Sequence, residues 1–135
     1  MGKTTLGLIA GVIVAFVIIS LNENITSSIH PVPEGMNMND IESVKAHINT
    51  MPITAFLAIL LGYSVASFVG AFTATYISKI MRHSFIVAFI LMLANTANLV
   101  MIPHPVWFAI ASSLIYPPFA WLGGKSAMAM QKKNQ

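Results

Sequence analysis

The chain contains no cysteine. Disulfides, thiol chemistry and thiolate metal sites are therefore excluded, and nothing follows about compartment. Charge is nearly as scarce. Only 8% of the 135 residues are Asp, Glu, Lys or Arg, against about 25% in soluble domains, so the chain cannot cover a soluble surface. All four acids, Glu23, Glu34, Asp40 and Glu42, fall between residues 22 and 50. None lies in a long apolar run, and no Lys, Arg or His stands at the centre of one. Intramembrane ionisable groups mark proton relays and ion-coupled transport, so their absence weighs against a proton-coupled antiporter. There is no nucleophile–base motif, phosphate-binding glycine loop or cofactor fingerprint. No catalytic residue, cofactor or metal is assigned.

What the chain does have is apolar length: 56% of it is hydrophobic and its mean hydropathy is +0.77. The run that organises the rest is 55–80, A-F-L-A-I-L-L-G-Y-S-V-A-S-F-V-G-A-F-T-A-T-Y-I-S-K-I, with no charge before Lys79. Small residues recur at every fourth position in Ala58, Gly62, Ala66, Gly70 and Ala74, and Ser67, Ala71 and Thr75 form a second row beside them. Residues four apart stack on one helical face. A groove of this kind lets another backbone approach closely in lipid, where dispersion contacts replace the missing hydrophobic drive. Three further runs complete the pattern, at 5–21, 84–102 and 106–128. The first is long for a signal-peptide core and lacks a good cleavage site, so an uncleaved anchor is expected. Its Gly7, Gly11 and Ala15 repeat the fourfold spacing and predict packing against the 52–80 helix. The expected fold is all-α: a four-helix antiparallel membrane bundle formed by one domain, 1–135, with spans at about 5–21, 52–80, 84–102 and 106–128.

Residues 22–50 read as a polar loop outside the membrane, with Pro31, Pro33 and Gly35 as breakers. Asn39 followed by Glu42 resembles a capping box. Ile41, Val44, Ile48 and Met51 then fall at helical spacing, predicting a short amphipathic helix near 40–49 over the bundle mouth. Lys79, Arg82 and His83 mark a tight basic turn. Pro117-Pro118 removes ladder donors and predicts a kink or break in the fourth helix, and the tail beyond 128 is expected to fray.

The net charge of +3 is a topology signal, and no nucleic-acid partner is assigned. Lys3, Lys79, Arg82, Lys125, Lys132 and Lys133 fall on one side of four spans, and the acidic loop falls on the other. The positive-inside rule then puts both termini in the cytoplasm. Trp107 suits the outer interface, and Trp121 and Tyr76 the inner one.

Polar residues within the spans are the candidate site. Asn95 and Asn98 are three apart on one face, with Thr96 beside them, and Ser112 and Ser113 come from the next helix. With His104 at the mouth and the Pro117 break below, they could line a polar path or bind a ligand. The structural alternative is interhelical hydrogen bonding, worth roughly 0.6 kcal/mol per bond. His30, Glu34, Asp40, Glu42 and His47 lack the spacing of a zinc or calcium loop and read as a solvated acidic surface. The nine methionines are scattered and read as apolar filler.

H-P-V-P-E-G-M-N at 30–37, T-M-P at 50–52, S-F-V-G-A-F-T-A in the second helix and N-L-V-M-I-P-H-P-V-W-F at the third turn together resemble small bacterial four-span inner-membrane proteins with no assigned activity. The resemblance covers about residues 5–125. It implies an inner-membrane bundle and carries over no functional residue. Abundant small-residue surface beside few reactive groups leads to a first expectation: a non-enzymatic protein acting through helix packing, by self-association or within a larger membrane complex. The rival is a minimal channel or transporter for a small or amphiphilic solute. A lipid-acting enzyme has the least support, with only the acidic loop and His104 to offer.

Overall fold

The computed structural model describes residues 2–135. Five helices follow one another: α1 (Lys3–Ile29), α2 (Ile41–Thr50), α3 (Ile53–Ser78), α4 (Arg82–Met101) and α5 (Val106–Lys133). α1, α3, α4 and α5 are each long and apolar enough to cross a bilayer. The shortest, α4, has 20 residues, about 30 Å at 1.5 Å per residue, which matches a hydrocarbon core. The protein is a small multi-span membrane protein in contact with lipid.

α3 is the spine. In its most apolar stretch 56% of residues are buried, against 17% for α1. α1 and α5 flank it, and α4 touches all three. α1 runs antiparallel to α3, with Gly7 near Ala74 and Ser78, Gly11 near Gly70, and Asn22 over Gly62. α5 runs parallel to α3, as shown by Phe56 against Phe108, Tyr63 against Tyr116 and Gln131 bonded to Tyr76. This is up-down-up-down topology, with six of the seven Lys and Arg residues gathered at one end and the 30–50 segment, which carries Lys45, at the other.

The glycine rows do the packing work expected of them. A Cβ on Gly11 would lie 2.5 Å from the Gly70 carbonyl oxygen and 2.7 Å from Ala74 Cβ. One on Gly70 would lie 2.7 Å from Ala15 Cβ. The second row serves the other neighbour: Ser67 Oγ donates to the Tyr116 carbonyl at 2.8 Å, and Gly123 lies against the Phe68 backbone. Ala58 departs from the pattern. It is exposed, although it belongs to the same row.

Several boundaries differ from expectation. Residues 22–29 are not loop; α1 continues through them to Ile29. Its polar side chains bond back along the helix, Asn24 Nδ2 to the Ser20 carbonyl at 2.7 Å and Thr26 Oγ1 to the Asn22 carbonyl at 2.9 Å. Polar residues that satisfy themselves in this way do not end the helix. α2 is capped by Asp40, not Asn39: Asp40 accepts from the Glu42 amide at 3.3 Å and from Ser43 Oγ at 2.7 Å. α5 runs unbroken through Pro117 and Pro118 as far as Lys133, and Gln131 Nε2 ties its end to the Tyr76 carbonyl at 2.6 Å. His83 is not a surface member of the basic turn, since its ring is buried at the start of α4.

Candidate functional site

Two adjoining cavities lie at the loop end of the bundle. The outer one, about 400 Å³, sits beneath α2 and the 30–40 segment. α2 covers it by side chains alone, with Val44 and Ile48 buried over the opening. His30, His47 and His104 face this chamber together with apolar residues such as Met36 and Phe108. The inner cavity, about 180 Å³, runs between α1 and α4. Phe16 and Ile19 form its α1 wall, Ala94 and Asn95 its α4 wall. The two share Glu23, Tyr63 and Asn98 as common lining. Leu91 and Tyr116, each 1% exposed, floor the inner cavity. Beyond that floor Val87 packs beside Gly70.

Asn95 is the deepest polar residue in the cavity wall, and its orientation follows from its partners. Ser112 Oγ and Ser113 Oγ both donate to the Ala109 carbonyl, at 3.2 and 2.8 Å. Their hydrogens are engaged, so toward Asn95 they can only accept. The Asn95 amide nitrogen therefore faces them, at 3.1 Å from Ser112 and 3.5 Å from Ser113. That leaves Asn95 Oδ1 turned the other way, buried and without a partner, in a residue that lines the inner cavity.

The remaining sequence candidates divide. Asn98 is half-buried and borders both cavities. His104 stacks on Phe108 at 5.2 Å, and its Nδ1 donates to the Ile102 carbonyl at 2.7 Å. Burial holds its pKa below the ordinary value for histidine, partly offset by that hydrogen bond. Thr96 is exposed, with its hydroxyl on the Met92 carbonyl, and faces a shallow lateral depression shared with Ser113. Pro117 is half-buried and borders neither cavity. The structure thus gathers Asn95, Asn98 and Ser112 at one place, sets His104 at its mouth and leaves Thr96 and Pro117 aside.

Three residues absent from the sequence candidates join them. Glu23 is the one acid lining either cavity, and it was hidden by reading 22–29 as loop. A signal did exist: Ile19 and Glu23 keep helical spacing. Tyr63 and Tyr116 stack at 5.7 Å, and both border the inner cavity. As aromatic residues inside apolar runs, they carried no mark separating them from core. Among the described residues no cluster of His, Asp and Glu is placed to hold a metal ion. No protein-family model, no curated protein and no solved structure matches this chain.

Proposed function

We propose that the protein is a non-enzymatic solute handler. In this reading a small amphiphilic molecule enters from the loop end and is held in the seam between α1 and α4. One observation supports this above the others: the paired cavities run from the loop-covered mouth to Asn95, whose buried amide oxygen no protein group satisfies. Apolar walls with a few convergent polar groups are the usual make-up of a small-molecule site. The closed floor at Leu91 and Tyr116 favours a carrier or binder over an open pore. The accessory-protein reading loses its motive here, because the glycine faces of α1 and α3 are already covered by one another. By the positive-inside rule, Lys3, Lys79, Arg82 and the Lys125–Lys133 end face the cytoplasm of a bacterial cell, and the cavity mouth faces outward.

Purified protein in proteoliposomes tests this. Uptake of a panel of small radiolabelled amphiphiles is expected to exceed that of empty vesicles. It should fall to the empty-vesicle level in the Asn95→Leu, Asn98→Leu double variant while helicity is retained. Wild-type protein that neither binds nor moves any member of the panel would overturn the reading, as would a double variant with unchanged flux.

A further inference from the structure

The geometry points to a small primary ammonium ion as the ligand class of the inner cavity, with its N–H groups on Asn95 Oδ1 and the Glu23 carboxylate. This rests on the solute-site reading and narrows it. Three observations carry it. First, the polar group at depth is an acceptor. Asn95 is 5% exposed, its amide nitrogen is engaged by Ser112, and its oxygen has no partner. A buried carbonyl oxygen in that state requires a donor. Second, the charge at the cavity is negative. Glu23 borders both chambers, while no Lys or Arg lines either one among the described residues. Glu23 is exposed at the rim, where an anionic ligand would meet an unneutralised carboxylate and a cation would be paired. Third, the wall is aromatic. Tyr63, Tyr116 and Phe16 line the same cavity as Glu23 and Asn95, and aromatic rings attract an ammonium group further. The aliphatic or aryl body of the ligand then extends toward the apolar outer chamber past Ile59 and Met51.

The test compares two near-isosteric probes, benzylammonium and benzyl alcohol, by calorimetry on the full chain in lipid nanodiscs, with empty discs as blank. Benzylammonium is expected to bind saturably and at least tenfold more tightly than benzyl alcohol. Glu23→Gln, which keeps shape and removes charge, should weaken benzylammonium at least tenfold and leave the alcohol unchanged. Asn95→Leu should weaken both probes, because each can donate to Oδ1. Equal affinity for the two probes in the wild type, or an unchanged Glu23→Gln variant, would overturn the ammonium assignment and leave a neutral solute site standing. No binding of either probe would overturn the assignment and the solute site together. Should Glu23→Gln fail to fold, the wild-type comparison of the two probes decides alone.

Discussion

Substituting Gly11 by alanine tests whether close backbone approach holds α1 to α3. The added Cβ would sit 2.5 Å from the Gly70 carbonyl oxygen, 2.7 Å from Ala74 Cβ and 3.1 Å from the Ala74 amide. Two of these three are backbone atoms, so no rotamer change relieves them. Reaching ordinary contact at 3.4 Å requires the helices to part by about 0.9 Å, and a gap of roughly that size forfeits a quarter to a half of the dispersion well for the atoms facing it. Overpacking of this kind costs about 1–3 kcal/mol, while replacing a mid-helix glycine by alanine returns about 0.5–1 kcal/mol. The expected net loss is therefore about 1–2 kcal/mol. Because Gly11 and Gly70 face each other, the double alanine variant should lose less than the sum of the singles: once the helices have parted, the second methyl finds room. The assay is reversible unfolding in mixed micelles by SDS titration, with Ala58→Leu as control. Ala58 belongs to the same sequence row but is exposed, so its enlargement should shift the midpoint by less than about 0.5 kcal/mol. An unchanged Gly11→Ala variant, or an Ala58→Leu variant as damaged as Ala66→Leu, would refute the reasoning.

Four further outcomes follow from single contacts. His104 has a pKa held low by burial, so the folded state binds fewer protons than the unfolded state around that pKa, and stability falls as pH drops below about 6.5, the ordinary histidine value; thermal melts in nanodiscs from pH 7.5 to 5 should show a step that His104→Gln flattens. Lys79 closes α3 with φ +62°, a left-handed conformation costing a side-chain-bearing residue about 1 kcal/mol, so Lys79→Gly should raise the unfolding midpoint by about that much. Asp40→Ala removes the α2 cap at about 1 kcal/mol, which should speed amide exchange across 41–50 and leave the bundle's own midpoint in place. Asn95→Leu should cost the fold no more than about 1.7 kcal/mol, since Ser112 and Ser113 keep their bonds to Ala109; a larger loss by SDS titration would make the amide a structural strut.

The spans and the faces that join them were legible because one physical rule governs both. In lipid, apolar length sets the span, and small residues at fourfold spacing set where backbones meet. Gly7, Gly11, Gly70 and Ala74 are read correctly by that rule. Ala58 shares the spacing but is exposed, because spacing alone does not say which members of a row a neighbouring helix covers. Polar segments were harder. N-E-N-I-T-S-S looks like loop by composition, but Asn24, Thr26 and Ser28 satisfy themselves on the preceding turn, and self-satisfied side chains leave the helix intact. The same misreading concealed Glu23, and with it the negative charge of the cavity. Pro117-Pro118 signalled a kink or a break, and of the two α5 excludes the break, since it stays helical through both prolines.

Asn95 and Asn98 were visible as an amide pair, but only packing separates a strut from a site, and the structure assigns Asn95 part of each. Among the described residues four buried polar side-chain atoms lack partners: Asn22 Nδ2, Thr75 Oγ1, His83 Nδ1 and Asn95 Oδ1. Leaving such an atom unsatisfied costs about 1–3 kcal/mol, so each calls for an explanation. Asn22, Thr75 and His83 border neither cavity. Asn22 lies directly over Gly62, pressed into the α1–α3 contact. Of the four, Asn95 alone faces a space large enough for another molecule. A fold seeking stability alone would fill that space, and leucine at Asn95 would do so without an orphaned oxygen. Instead the serines engage the amide nitrogen and leave the oxygen unpartnered, in a residue that lines the same cavity as Glu23 from α1 and the stacked tyrosines of α3 and α5. Four helices thus contribute to a pocket that none of them needs for packing, which sets the α1–α4 seam apart from the rest of the interior.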